Sequence, residues 1–173
     1  MSKPLKVKKV SAADPVQTTA VKILQTRLKE FYSHWADPQQ TPTLKQLHNL
    51  RISGKRLRYS AEQLRDLFPD RLALLIDLLK RGQDLLGEIQ DCVTQRGVIE
   101  TELIQLRRRK PYHPEIVALE NLLADYGQKQ SLLFGQFREI WMGMALPEFR
   151  AGLSAMISRT AIKSSNGGGQ QNQ

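Results

Sequence analysis

Between Pro38 and Ala61 the chain has no acidic residue, while Lys45, Arg51, Lys55, Arg56 and Arg58 crowd positive charge into that stretch. His48, Arg51, Lys55, Arg58 and Glu62 follow one another at spacings of three and four, so on a helix they project from one ridge. Like charges at that spacing cost roughly 0.2–0.5 kcal/mol per pair, so the ridge calls for acids on a neighbouring helix or for an anionic ligand. Arginine forks match phosphate oxygens in pairs, and lysine adds a mobile point charge. The chemistry on offer is polyanion binding, and the plain alternative is a solvated basic face.

A second polar ridge lies in LLKRGQDLLGEIQDCV, where Lys80, Gln83, Asp84, Gly87 and Asp91 share one side of a helix. Leu78, Leu85, Leu86, Ile89 and Val93 form its apolar side. If the two ridges face each other, Asp84, Asp91 and Glu62 would orient some basic side chains and leave others free for ligand. Gly87 then either permits close backbone approach or is an ordinary surface glycine. Arg27 falls in an otherwise apolar arc of Val16, Ala20, Ile23, Leu24, Leu28, Phe31 and Trp35. It must snorkel to the rim or turn its guanidinium into a polar cavity shared with the next helix. The run from Arg107 to Lys110 ends a helix, where cations are favoured whether or not an anion is near.

Other chemistries lack their residues. His34, His48 and His113 are too dispersed for a local metal motif, so neither a metal nor a cofactor is expected. Cys92 is a lone cysteine and reads as a buried small hydrophobe. There is no GxxxxGK[ST] loop and no GxSxG elbow, and the acids are better explained as partners of the basic ridge than as hydrolytic groups. The expectation is therefore a protein that is not an enzyme. A metal-dependent phosphohydrolase is the less favoured alternative. Lys and Arg number 26 against 17 Asp and Glu, for a formal charge of +9, which also admits nucleic acid as a partner. No helix-turn-helix or zinc finger is recognisable, however, and Tyr126, Phe134, Phe137 and Trp141 share an apolar arc with Leu119, Leu122, Leu133 and Met144, as core does. With apolar residues only in short clusters and no signal-peptide run, a cytoplasmic protein without a membrane span is expected.

The elements that must position these residues are helical, because apolar residues recur at three and four between widely spaced prolines. A flexible basic segment over 1–13 precedes a helical domain over 14–162, and 163–173 is a disordered Gly/Gln-rich tail. The first helix is expected to start at an Asp14 cap with Pro15 and Gln17 behind it, and to run to about Ala36. The second runs from a Thr41 cap to Phe68. Its core stripe is Leu47, Leu50, Gly54, Leu57, Ala61, Leu64 and Phe68. The third starts after an Asp70 cap and ends near Arg108; the fourth covers Glu115 to Ala145; a short fifth runs from Pro147 to Ile162. Four long helices with short connections predict an all-α, antiparallel four-helix bundle with a short C-terminal helix.

The segments LHNLRISGKRLRYSAEQL and LLKRGQDLLGEIQDCV together resemble the CHAD family, the conserved histidine α-helical domain. His48, Arg51, Ile52, Lys55, Arg56, Leu57 and Arg58 match its H-x-x-R-[IV]-x-x-[KR]-R-L-R pattern, with Tyr59 as in the version typical of the family's second half. Leu86, Gly87 and Asp91 match its second element well, and Leu79 or Gln83 loosely. The resemblance implies a non-enzymatic helical domain whose basic cavity binds inorganic polyphosphate. His48, Arg51, Lys55, Arg56 and Arg58, with Lys45, Lys80 and Arg27, would hold the anion. Tyr59, Glu62, Gln83, Asp84, Gly87 and Asp91 would support them. It also implies family members on storage granules, and two bundles with a signature in each, whereas this chain has one copy. Either one bundle takes a shorter or weaker anion, or two chains form a homodimer that completes the cavity, and the dimer is the expectation.

Overall fold

The structure is a computed structural model and describes residues 3–8, 10–35, 40–68, 72–109 and 113–163, the side chains of 156 and 158–163 excepted. Five α-helices make it up: α1 (Val16–Tyr32), α2 (Leu44–Gln63), α3 (Ala73–Arg109), α4 (Glu115–Ala145) and α5 (Pro147–Lys163). A short 3-10 turn, Arg65–Leu67, follows α2. The fold is all-α, with no strand among the described residues. The chain forms two compact units, residues 1–83 with 140–173, and residues 84–139.

The helix starts differ from those the sequence suggested, for local reasons. Thr43, not Thr41, caps α2: its hydroxyl accepts from Gln46 N at 3.2 Å, and its own N–H donates to Gln46 Oε1 at 2.7 Å. This reciprocal box needs Glu or Gln three residues on, and Thr41 has Leu44 there. At α1 the cap position is Pro15, without a side-chain bond. Asp14 instead accepts from Ser11 N at 3.1 Å and pairs with Lys22 at 2.7 Å. Lys22, then the Ser11 amide, holds the Asp14 carboxyl below its usual range. Helix α1 stops at Tyr32, where Ser33 satisfies the end by donating its hydroxyl to Glu30 O at 2.7 Å. Helix α4 spans the expected residues between Pro114 and Pro147. The Asp70 cap and the tail beyond Lys163 lie outside the described residues.

In the first unit α1 packs on α2 and α5. Ala20, Leu24, Leu28 and Phe31 are buried on α1, as the apolar arc requires, with Trp35 buried just beyond its end, and Val21 and Tyr32 join them; Val16, expected in that arc, is exposed and Ile23 is half-buried. On α2 the buried stripe is Leu47, Leu50, Gly54, Leu57 and Ala61, with Phe68 beyond the 3-10 turn, while Leu64 is half-buried. Trp141 stacks on Trp35 at 5.3 Å and meets Phe31 edge-on at 5.2 Å. Tyr32 donates its hydroxyl to Met144 O at 2.8 Å beneath the Arg150 guanidinium, 4.4 Å from its ring. Burial pushes that phenol up to about 12, against the opposing charge of Arg150. One close approach favours glycine: a Cβ at Gly54 would stand 3.2 Å from Phe31 Cε2 and 3.6 Å from Gln83 Nε2.

In the second unit Ile99, Leu103 and Ile116 form a small buried cluster, packed by Leu106, Leu119, Leu123 and Tyr126. Polar ties across the helices are Arg96 to Gln130 at 2.9 Å, Lys129 to Glu88 at 3.4 Å, and Arg107 to Glu120. The first arginine of the terminal basic run thus has a protein partner. Cys92 is buried, as its surroundings in the sequence suggested. Leu122, expected in the α4 apolar arc, is 43% exposed.

Candidate functional site

Helix α2 has a buried stripe and a cationic ridge because its apolar and basic residues each recur at three and four. The capping box fixes where the helix begins, and burial of the apolar stripe sets which way the ridge faces. His48, Arg51, Lys55 and Lys45 are exposed, and none has an acidic partner among the described residues. Arg58 is more enclosed, its side chain 19% exposed, and reaches Glu62 one turn on at 3.7 Å. Its guanidinium also lies over the Tyr59 ring at 5.0 Å, with Lys55 Nζ at 5.6 Å from the same ring. Tyr59 is thus a half-exposed platform that holds two cations by attraction to its π-face.

On α3 the first unit contributes Lys80, which is exposed, and Gln83, which is half-buried beside Gly54. Gln83 Nε2 and Arg58 Nε are both buried from solvent, yet neither has a hydrogen-bond partner. Buried donors left in this state cost about 1–3 kcal/mol each; Arg58 belongs to the ridge, and Gln83 lies beside Gly54 of the buried stripe. Asp84, Gly87 and Asp91 belong to the second unit. Asp84 and Asp91 are exposed there, and a Cβ at Gly87 would meet nothing within 4 Å. The close approach in α2 and α3 that calls for glycine is at Gly54.

Two cations of the expected anion-binding set share a single carboxylate within the protein itself. Glu30 on α1 is 2% exposed and binds Arg27 Nη1 at 2.5 Å through one oxygen and Arg56 Nη1 at 2.5 Å through the other. Its carboxylate also accepts from Leu5 N at 3.3 Å, and Arg27 donates to Leu5 O at 3.1 Å. Burial alone would raise the Glu30 carboxyl; the hydrogen bonds from Arg56, Arg27 and Leu5 outweigh it and hold the group below its ordinary range. Arg27 therefore takes the inward course, into a polar cluster shared with α2. The sequence reading missed Glu30. Its signal was an acid three residues after an arginine stranded among apolar residues.

His34 is half-buried nearby, and desolvation lowers its pKa; Glu30 opposes this and Arg56 adds to it. Among the described residues no three His, Cys, Asp or Glu side chains cluster as metal ligands. Nor is any described helix long and apolar enough to cross a membrane. The arrangement can neutralise and hold several phosphates along one helix face, with Arg56 stiffened from behind by Glu30.

No curated protein and no solved structure matches the chain. The family model described as the CHAD domain matches residues 2–100, more than half of the chain and the whole of the α2 ridge, and the chain belongs to the CHAD family.

Proposed function

We propose that the α2 ridge binds inorganic polyphosphate, or a similar phosphate-rich polyanion, without breaking a bond in it. CHAD domains in general are associated with polyphosphate-type ligands. The observation that carries the reading for this chain is the pair of buried donors without acceptors, Arg58 Nε and Gln83 Nε2, together with a ridge whose exposed cations lack acidic partners. Phosphate oxygens supply acceptors and charge together. Arg51, Lys55, Arg58 and Lys80 contact the anion in this reading, with His48 and Lys45 at the amino-terminal end of the ridge. Arg56 and Arg27 contribute through Glu30, by fixing α1 on α2. The protein then acts in the cytoplasm, at polyphosphate stores.

Titrating polyphosphate into wild type and Arg51→Ala/Lys55→Ala tests the reading, with helicity checked by circular dichroism. The variant should bind at least about tenfold more weakly, the loss of two charge-assisted contacts, and affinity should fall steeply with salt. Equal affinity would remove the ridge from consideration. Displacement by DNA or RNA more effective than by polyphosphate of equal charge would turn the assignment to nucleic acid. A two-fold association of chains would bring a second ridge to the same anion, and light scattering with and without polyphosphate reads that step.

A further inference from the structure

The basic amino-terminal segment is not left loose along its length. Glu30 and Arg27 bind the backbone N–H and C=O of Leu5, so the segment from Lys3 to Lys8 is anchored to α1 at its middle. Beyond that anchor the segment and α1 border an open surface groove of about 450 Å³ lined by Leu5, Lys6, Lys8, Lys22, Thr26 and Lys29, together with Gln25. Lys22, Gln25, Thr26 and Lys29 recur at helical spacing on the face of α1 turned away from its buried arc. Four lysines from two separate pieces of chain therefore line one concavity.

One acid, Asp14, is joined to this cluster, through Lys22. Lys6, Lys8 and Lys29 have no acidic partner among the described residues. The segment is held to α1 through the backbone of Leu5, which keeps its lysines beside those of α1, where an anion would be attracted. Lysines on flexible stems, without the planar fork of arginine, suit a ligand that presents oxygens in varied directions.

We propose that this groove is a second anion site, one that takes a short run of linked phosphates. It shares no residue with the α2 ridge and would stand whether or not that ridge binds polyphosphate.

The test uses the full chain and tripolyphosphate as the probe. Saturating tripolyphosphate should protect Lys6, Lys8 and Lys29 from an amine-acylating reagent, read by mass spectrometry, in wild type and equally in Arg51→Ala/Lys55→Ala. Lys6→Gln/Lys8→Gln/Lys29→Gln, with an unchanged unfolding midpoint, should lose one binding event in calorimetry, or weaken it by at least about tenfold. Acylation of those three lysines at the same rate with and without tripolyphosphate would overturn the site, as would unchanged stoichiometry and affinity in the triple variant. Vesicles of phosphatidylcholine with phosphatidylinositol bisphosphate form the other arm. Protection by vesicles but not by free tripolyphosphate would assign the lysines to a membrane surface and sink the proposal. The ridge variant separates the two readings, since loss at the ridge alone leaves the lysine protection intact.

Discussion

Glu30 of α1 and Arg56 of α2 meet at 2.5 Å, and the carboxylate that joins the two helices is almost wholly buried. The same carboxylate carries Arg27 and the Leu5 backbone, so one residue ties the amino-terminal segment, α1 and the signature helix together. Removing one member of a buried ion cluster strands the others. Glu30→Ala should therefore cost about 3 kcal/mol in urea unfolding, and Glu30→Gln, which keeps an acceptor, about half of that. A loss below about 0.5 kcal/mol for the alanine variant would show that the arginines find water equally well.

The cluster also sets an acid limit. The Glu30 carboxyl lies below its ordinary 4.5 in the folded protein, so its contribution is fully present above that value and is lost as pH falls through the lower folded value. The urea midpoint of wild type should drop on acidification below about 4.5, and Glu30→Gln should show a shallower drop over that window.

His34 acts higher on the pH scale. Desolvation holds its folded pKa below 6.5, with Arg56 assisting and Glu30 opposing, so the unfolded chain takes up the proton first as pH falls. Stability from the neutral ring is full above about 6.5 and declines as pH falls through the folded value. Comparing unfolding midpoints at neutral pH and at about pH 5.5 should show a decrease in wild type that His34→Gln reduces. An identical pH profile in the variant would assign the decline to other groups.

The sequence places Gly54 in the core stripe and Gly87 on a polar ridge with close approach as one of its readings, and the structure puts the close approach at Gly54. Alanine favours a helix over glycine by about 1 kcal/mol, a gain that Gly87→Ala should show in part because a Cβ there meets nothing within 4 Å. At Gly54 the new methyl would lie 3.2 Å from the Phe31 ring, which Tyr32 and Trp141 confine. Overpacking there costs about 1–3 kcal/mol and should outweigh the propensity gain, so Gly54→Ala is destabilising while Gly87→Ala is stabilising. Chemical denaturation of the two variants side by side checks the opposite signs.

These cases mark what the sequence made legible. Helix identity, the α2 core stripe and the bounds of α4 followed from spacing and proline, which act through neighbours along the chain. Thr43 was within reach, since Gln46 stands where a capping box needs it. Glu30 was not paired with Arg56 because 26 residues separate them, and no local pattern states which arginine of a basic run turns inward. Gly54 was likewise placed in the stripe, but the ring it accommodates comes from another helix. The resemblance gave the ridge a ligand class, whereas only the coordinates show which of its donors lack an acceptor.

Gln83 offers the sharpest separation of stability from binding. Its amide nitrogen is buried beside Gly54 with no acceptor, a state that costs about 1–3 kcal/mol. Methionine has nearly the same length and no donor, so Gln83→Met should raise stability by about 1 kcal/mol. If that nitrogen waits for a phosphate oxygen, the same variant should bind polyphosphate several-fold more weakly, although no charge has been removed. The slope of affinity against salt should stay at the wild-type value, because that slope follows the cations neutralised. A Gln83→Met protein that is stabilised and binds as tightly as wild type would place Gln83 in packing alone and leave the anion to the exposed cations of α2.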